Sequence, residues 1–287
     1  QDSALKSESA KEAKEEKIWS ILDDIFDYTE LSRRTLSRNW NKFNGDQQKE
    51  FEDLFRKLLG NVYMDRILAY KDEKVAFEIA YAGCQTGLRA AVSMKQVGLN
   101  VASDPLMSAA YMGVNGGFVL ISADDPGPHS SQTEQDSRLM AMFAKIPVLD
   151  PDSPRQAKEL MGVAYEISES FKIPVMVRPT TRVCHSRQDI TLGPIPKNKR
   201  QAKFEKNPFR WAATPKFRLQ LHRELEEKLA AIAKYRPTAP RKLNRGATSA
   251  KAIIASGVAA AHTKDILKEL KIWSKIPYYQ VVQPFPL

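Results

Sequence analysis

The fold is decided by residues 117–136, which read GFVLISADDPGPHSSQTEQD. The first six residues form a short apolar run, and such a run between turn signals predicts a buried strand. A Pro-Gly-Pro turn follows at 126–128, and the residues from Gln132 onward have the spacing of a helix. A strand that leads through a polar turn into a helix indicates a right-handed crossover and therefore a parallel sheet.

The same alternation extends on both sides of this stretch. Further strands are predicted at 90–94, 148–149 and 173–177, and further helices at 105–112 and 154–171. Ser153 is a candidate helix cap, and Pro154 suits the first helical position because its missing N–H is not needed there. We therefore predict an α/β domain with a parallel sheet over residues 73–190.

Different patterns lie before and after this domain. Apolar residues recur at helical spacing from Ile18 to Phe26 and from Phe51 to Ile67, so residues 1–72 are predicted to be all-helical, with a second helix of about 25 residues. Residues 241–287 read as strand, helix and strand, with the strands at 250–257 and 279–283 and the helix at 264–270. One βαβ unit is too little for a domain, so we expect this piece to be truncated or to depend on a partner.

The net charge of +10 is concentrated in one segment. Residues 191–251 hold 16 Lys and Arg against 4 Asp and Glu, with aromatic residues between the basic ones. Such a pattern suits nucleic acid. Six prolines and the lack of a nucleic-acid fold motif favour instead a solvated linker at 191–240 that wraps a neighbouring domain, so we do not expect a nucleic-acid partner.

Cysteine content and hydropathy exclude several classes of protein. Cys84 and Cys184 lie a hundred residues apart, which excludes a CxxC metal site, an iron–sulfur run and a disulfide framework within this chain. No metal site is therefore predicted. No apolar run approaches the ~20 residues of a membrane span, so none is expected.

Polar side chains at three strand ends form a candidate site. Ligands of parallel sheets bind beyond the carboxyl ends of the strands, where the loops 95–104, 123–131 and 178–187 are expected. These loops offer Lys95, Asn100, Asp124, His129, Ser130, Ser131, Arg178 and Arg182. Cationic and amide groups at one edge suit a carboxylate or a phosphate, and His129 beside two aspartates suits acid–base chemistry. The alternative is a turn whose Asp and Ser side chains bond only to local backbone.

Four runs carry a family resemblance. EKVA at 73–76, MKQVGLNVASDP at 94–105, ADDPGPHSSQTEQD at 123–136 and VMVRPTTRVCHS at 175–186 closely resemble the α subunit of indolepyruvate:ferredoxin oxidoreductase. That family contains thiamine-diphosphate-dependent 2-oxoacid oxidoreductases. The resemblance implies that residues 73–190 hold the aminopyrimidine of the cofactor and that residues 241–287 begin a transketolase-C-terminal-like domain.

The resemblance also implies a reaction and the residues for it. The family decarboxylates an aryl pyruvate oxidatively with coenzyme A, giving an aryl-acetyl-CoA, carbon dioxide and reduced ferredoxin. Its catalytic carboxylate beside the pyrimidine ring matches Glu73, with Glu78 a weaker candidate on the same helix. The implied cofactor contacts are Glu73, Lys95, Asn100, Asp124 and His129. The implied substrate contacts are His129, Ser130, Ser131, Arg178 and Arg182.

Two parts of the full-length α subunit are expected to be absent from this sequence. The domain that binds the diphosphate and magnesium is missing, and so are the cysteine-rich modules that hold the iron–sulfur clusters of the full family protein. The expected partners are therefore the missing domains or the β subunit, together with ferredoxin, coenzyme A and aryl pyruvate. The chain is expected to be a cytoplasmic fragment that is inactive alone.

A second resemblance covers the beginning of the chain. Residues 18–70, notably FDYTELSRRTLSRNWNKFNGDQQKEFEDLFRKLL and MDRILAYKDEKV, are similar to the first half of MlaC, a family of periplasmic phospholipid carriers. It implies an alternative function, a periplasmic phospholipid-binding module. The sequence 72–75 fits both families, so we place the junction between two incomplete pieces there.

Overall fold

The computed structural model describes residues 23, 27–127, 131, 133–193, 201–212 and 214–287, and the side chains of 59–72 are not described. The predicted site residues His129 and Ser130, and most of the helical pattern at 18–26, lie outside the described residues. The chain divides into two compact units, Gln1–Asp72 and Glu73–Leu287. The boundary between them coincides with the junction placed at 72–75, although the domain boundaries drawn from the sequence stay a prediction.

The described part of the first unit is helical. Helix α1 is Tyr28–Leu36, and the Asp27 carboxylate caps it by accepting a hydrogen bond from Glu30 N at 2.9 Å. A 3₁₀ turn, Ser37–Lys42, leads to helix α2, Gly45–Gln85. The predicted end of this helix near residue 70 is wrong. The segment from 46 to 85 contains no proline, and the helix ends only before Gly87, which adopts a positive φ of 88°.

The second unit contains the predicted parallel sheet. Its strands are β1, Ala90–Lys95; β2, Phe118–Ala123; β3, Val148–Leu149; and β4, Val175–Val177. All pairings are parallel, in the order β1-β2-β4-β3. The carboxyl ends of β1, β2 and β4 are therefore neighbours, which is the arrangement on which the candidate site depends. The predicted α/β architecture is confirmed.

Helices cover this sheet and bury its apolar residues. They are α3, Gln96–Val101; α4, Ser103–Met112; α5, Ser137–Ala144; α6, Pro154–Phe171; and α7, Thr181–His185. Phe118, Leu120 and Met176 are completely buried between the layers, and each such side chain contributes roughly 1.5–3 kcal/mol by leaving water. Ser153 caps α6 as predicted, since its hydroxyl accepts a hydrogen bond from Gln156 N at 3.3 Å.

Two of the predicted strand-end loops are partly helical. The segment 95–104 holds α3 and the start of α4, and the segment 178–187 holds α7, so the description of both as loops is wrong. In addition, α5 begins at Ser137 and not at residue 132, because the Asp136 carboxylate caps it by accepting from Arg138 N at 3.1 Å. The strand ends are therefore held by short helices.

The basic segment contributes a helix to the same core. Helices α8, Pro208–Trp211, and α9, Pro215–Ile232, both begin with proline. Leu225, Leu229 and Ile232 are buried against the apolar residues of the sheet layers. The solvated linker predicted for 191–240 therefore includes a helix that belongs to the fold, and its fully solvated description is wrong.

The predicted C-terminal βαβ unit is present. Strand β6, Ile253–Ser256, and strand β7, Tyr278–Val281, are parallel and flank helix α10, Gly257–Glu269. Strand β5, Arg241–Lys242, pairs antiparallel with β7. The chain after β7 lies along β3, where Val148 N donates to Phe285 O and Asp150 N donates to Val282 O, each at 2.9 Å. The first sheet thus supplies a surface on which this small unit depends.

No helix in the described part of the chain is both long enough and apolar enough to cross a membrane.

Candidate functional site

The carboxyl ends of three strands bring three predicted site residues to one edge. Lys95 ends β1, Asp124 follows β2 and Arg178 follows β4. The backbone joins the last two segments directly, because Asp124 N donates to Pro179 O at 3.0 Å and Thr181 N donates to Asp124 O at 2.9 Å. These segments lie at the predicted edge of the sheet, where Asp124 pairs with Arg178 and Lys95 pairs with Asp125.

Arg178 is buried among carboxylates. Its side chain is 6% exposed, and its Nε donates to Asp124 Oδ2 at 2.6 Å. Its two terminal nitrogens lie 3.5 Å from Asp150 Oδ1 and 3.7 Å from Asp136 Oδ1. A buried cation needs such partners because its desolvation is costly. The guanidinium predicted to bind substrate is thus neutralised within the protein.

Asp124 is equally well satisfied. Its Oδ2 also accepts from Ser137 N at 2.7 Å, and its Oδ1 accepts from the Ser137 hydroxyl at 2.5 Å. The carboxylate therefore joins the first residue of α5 to the loop after β4. Asp124 and Arg178 fix the geometry of the edge, and their lone pairs and donors are occupied by the protein.

Asp150 connects this cluster to the C-terminal unit. Its Oδ2 accepts from the Ser256 hydroxyl at 2.8 Å, and a Cβ on Gly257 would lie 2.5 Å from its Oδ1. Burial raises the pKa of Asp150 despite the nearby Arg178 and Arg138. Burial would also raise the pKa of Asp136, but the hydrogen bonds from Arg138 and the positive charges of Arg178 and Arg138 together outweigh it and hold that pKa below its usual value.

A second cluster surrounds Lys95. Lys95 Nζ lies 2.8 Å from Asp125 Oδ2, an oxygen that also accepts from Ser131 N at 3.1 Å and from the Ser131 hydroxyl at 2.8 Å. The Thr181 hydroxyl donates to the other oxygen of Asp125, and Gln96 Nε2 donates to Ser131 Oγ at 2.9 Å. Lys95 and Ser131, both predicted, are thus brought together by Asp125 and Gln96.

Unlike Asp124, whose two oxygens both accept hydrogen bonds, Glu73 has a side-chain oxygen without a partner among the described residues. It lies on α2, half-buried, and its Oε2 is a buried atom with no hydrogen-bond partner among the described residues. Gly98 makes room for it, because a Cβ at that position would lie 2.7 Å from Glu73 Cγ and 2.8 Å from Oε1. Gln96 Oε1 is also buried without a partner in the described part of the chain. Glu78 is exposed.

Two predicted residues lie at other openings. Asn100 is exposed and lines a shallow cavity of about 300 Å³ with Leu99, Ser137 and Phe143. Arg182 is exposed and lines a different cavity of about 470 Å³. Neither lining includes Glu73 or Lys95. Among the described residues, no group of three or more His, Cys, Asp or Glu could hold a metal ion.

Gln96, Ser137 and Asp150 of these clusters were not among the residues singled out from the sequence, and Asp125 was noted only as a neighbour of His129. Asp150 directly follows β3 as Asp124 follows β2, so the same strand-end reasoning would have found it. Asp125 and Gln96 are adjacent in sequence to predicted residues. Ser137 could not be singled out from the sequence, because its contact with Asp124 depends on α5 beginning at residue 137, whereas the predicted start was residue 132.

Curated relatives match most of the chain. The indolepyruvate oxidoreductase subunit IorA of Thermococcus kodakarensis is 42% identical over 222 residues, which cover 75% of this chain and 34% of that protein. The IorA subunit of Archaeoglobus fulgidus is 38% identical over 236 residues, which cover 82% and 38%. The predicted resemblance to this subunit is confirmed. The chain spans about a third of the length of these IorA relatives.

A solved structure and a family model complete the comparison. The 2-oxoglutarate:ferredoxin oxidoreductase of Magnetococcus marinus superposes with a TM-score of 0.55 at 13% identity, over 75% of this chain and 45% of that one, which shows a shared fold. The family model described as MlaC protein matches residues 1–106, so the predicted second resemblance is also confirmed. Because the IorA match covers three quarters of the chain, the two matches share residues.

Proposed function

We propose that residues 73–287 form the aminopyrimidine-binding part of a thiamine-diphosphate-dependent oxidoreductase that decarboxylates indolepyruvate or a related aryl pyruvate. The identity with IorA subunits supports the substrate class. The assignment of the cofactor rests on the buried oxygen of Glu73 beside Gly98, which has no hydrogen-bond partner among the described residues. The edge at which these residues lie is the ligand-binding edge of a parallel sheet.

The Glu73 carboxylate fits an aminopyrimidine. A buried acceptor that lacks a donor costs roughly 1–3 kcal/mol, and that cost is recovered when a ligand supplies the donor. A protonated ring nitrogen is such a donor, and Gly98, which has no side chain, lets the Glu73 carboxylate lie against the backbone of α3 at this edge. When bound, thiamine diphosphate would supply the carbon nucleophile and the electron sink that decarboxylation of a 2-oxoacid needs.

The residues of this chain have separate roles in the proposal. Glu73 holds the proton at the pyrimidine nitrogen. Lys95, which is paired with Asp125 and 35% exposed, is assigned the contact with the substrate carboxylate, and Ser131, which is hydrogen-bonded to Asp125, is assigned a polar contact with the substrate. Asp124 and Arg178 act by holding the strand ends in place. Of the remaining predicted residues, Asn100 faces the neighbouring shallow cavity, and Arg182 lies at a distinct one.

Other components are required for turnover. In the proposed enzyme, further domains or a β subunit bind the diphosphate and magnesium, hold the iron–sulfur clusters and contact ferredoxin. The proposed location of this enzyme is the cytoplasm. The Magnetococcus marinus enzyme was solved with 2-oxoglutarate, coenzyme A and succinyl-CoA. We infer that coenzyme A is likewise the acyl acceptor here.

The test compares Glu73→Gln with Glu78→Gln. Both glutamates lie on α2, but Glu78 is exposed, so it serves as a matched control. Each variant is placed in a chain in which the unmatched part of an IorA relative completes residues 73–287. Exchange of the thiazolium C2 proton is then followed by NMR with thiamine diphosphate and magnesium. We expect Glu73→Gln alone to abolish exchange, and undiminished exchange would refute the assignment of Glu73.

The family match at residues 1–106 favours a second candidate, a phospholipid-binding module. It predicts that phospholipid copurifies with the chain. Solvent extraction followed by mass spectrometry tests this, with a chain that begins at Glu73 as the control. Phospholipid bound to the whole chain and not to the shorter one supports this candidate, and equal amounts in both contradict it.

A further inference from the structure

The cavity of about 470 Å³ lies apart from the Glu73 site. Three elements form its walls: the start of α6, helix α7 with the chain that follows it, and helix α10 of the C-terminal unit. It thus lies where the first sheet and the βαβ unit meet, and junctions of this kind commonly bind small ligands. None of the residues that we assign to the cofactor lines it.

Four basic side chains line this cavity. They are Arg182 and His185 from α7, Arg187 from the chain after it, and His262 from α10. Within the described ranges, neither arginine forms an ion pair with a carboxylate. The acidic residue of the lining is Asp152, whose Oδ2 accepts from Gln280 Nε2 at 2.6 Å. The lining therefore carries an excess of positive charge.

Arg178 lies on the same connection after β4 as Arg182 and Arg187, and its role is structural. It is buried and lies within 4 Å of three carboxylates. Arg182 follows four residues later and is exposed, without an acidic partner in the described part of the chain. The connection after β4 thus holds one arginine neutralised by the fold and two whose donors are available at the cavity.

The wall that carries Arg187 is held in place. Gln188 Oε1 accepts from Arg155 N at 3.0 Å, and Arg155 Nη2 donates to Asp189 O at 3.0 Å. The Ser186 hydroxyl donates to the backbone oxygen of Arg182. These contacts fix the chain after α7 against α6 before any ligand arrives, which reduces the entropy cost of binding.

We propose that this cavity binds a phosphate-bearing small molecule. A carboxylate has two oxygens and one charge, which a single guanidinium satisfies. Two guanidinium groups and two imidazoles offer more hydrogen-bond donors than the two oxygens of a carboxylate can use. A terminal phosphate has three oxygens and up to two negative charges, so it matches this lining better. The ligand would bridge α7 and α10.

Isothermal titration calorimetry with pyrophosphate at fixed ionic strength tests the proposal. We expect the double variant Arg182→Gln, Arg187→Gln to bind at least tenfold more weakly than the wild type. The matched control is Arg223→Gln, Arg245→Gln, which removes the same charge from exposed arginines outside the cavity. Equal weakening in both variants would show attraction to net charge alone and overturn the proposal.

Two further measurements sharpen the result. Acetate at the same concentration is expected not to compete, and competition equal to that of pyrophosphate would overturn the assignment to phosphate. In the wild type, the ring protons of His185 and His262 should shift on addition of pyrophosphate in NMR spectra, and unshifted signals would place the anion elsewhere. A parallel titration with adenosine diphosphate identifies the kind of phosphate ligand. Tighter binding of adenosine diphosphate than of pyrophosphate would indicate a nucleotide, and equal binding would indicate recognition of the phosphate groups alone.

Discussion

Asp124 and Glu73 are carboxylates near the same sheet edge with opposite surroundings. Asp124 is fully buried and accepts hydrogen bonds from Arg178, Ser137 N and the Ser137 hydroxyl. Glu73 is half-buried, and one of its oxygens has no partner among the described residues. The difference separates two functions of buried charge. Asp124 organises the protein, whereas Glu73 is available to a ligand.

The largest effect is expected from Asp124→Asn. The change leaves Arg178 without its shortest ion pair in a buried position, and breaking such a pair by removing one partner typically costs ~3–5 kcal/mol. Urea denaturation followed by circular dichroism should show a drop of this order in the free energy of unfolding. A loss below about 1 kcal/mol, which is typical of an exposed ion pair, would show that Asp124 is not a structural carboxylate and therefore does not differ from Glu73 in this respect.

Gly98→Ala should have a smaller effect that depends on Glu73. The new Cβ would lie 2.7 Å from Glu73 Cγ, so that side chain or α3 must shift, at a cost of roughly 1–3 kcal/mol. Glu73→Ala in the same chain should relieve most of it in a double-mutant cycle. Gly162→Ala on α6, where no atom lies within 4 Å, is the control and should not destabilise. Equal effects at the two glycines would contradict the close approach of Glu73.

Glu224 is paired like Asp124 but more exposed, and its lowered pKa leads us to expect a pH-dependent stability. Hydrogen bonds from Arg210 at 2.5 and 2.6 Å lower its pKa from 4.5 to about 2. Because the folded-state pKa is the lower one, the stabilisation is present above pH 4.5 and is lost as the pH falls towards 2. The group is more than one-third exposed, so we expect only ~1 kcal/mol at neutral pH. The stability difference between wild type and Glu224→Gln should shrink between pH 5 and pH 2, and a constant difference would contradict this.

The smallest effect on stability is expected from Glu73→Gln. The buried oxygen that it replaces has no described hydrogen bond to lose, so the free energy of unfolding should change by no more than ~0.5 kcal/mol. Urea denaturation of the chain without cofactor measures this. A loss comparable to that of Asp124→Asn would mean that Glu73 has a structural partner.

Much of the fold could be predicted because its signals are local. The strands at 90–94 and 148–149 and the helix at 154–171 follow from apolar spacing and from Pro154 at the helix start. Helix α9 was missed, although Leu221, Leu225 and Leu229 recur every four residues, because prolines and positive charge dominate the composition of that segment. The extension of α2 to Gln85 was missed because the helical spacing was followed only to Ile67 and the junction between the two resemblances was placed at 72–75.

The sheet edge at which the predicted residues lie could be deduced from the sequence, but the ion pairs among them could not. The edge formed by Lys95, Asp124 and Arg178 follows from the rule for parallel sheets. The pairing of Arg178 with Asp124 and Asp150 could not be predicted, because it depends on the order in which strands lie side by side. The roles of His129 and Ser130 stay predictions, since both lie outside the described residues.

The sequence by itself determined the parallel α/β architecture, the edge at which polar side chains gather and the two family resemblances. These follow from short-range patterns and from continuous motifs, which need no knowledge of distant contacts. Only the tertiary structure decided which charges neutralise each other and which remain available. Asp124, Asp150 and Arg178 are up to 54 residues apart, and they meet because β4 lies between β2 and β3. Burial there makes mutual pairing necessary, while Glu73 and Arg182 retain unpaired groups for ligands.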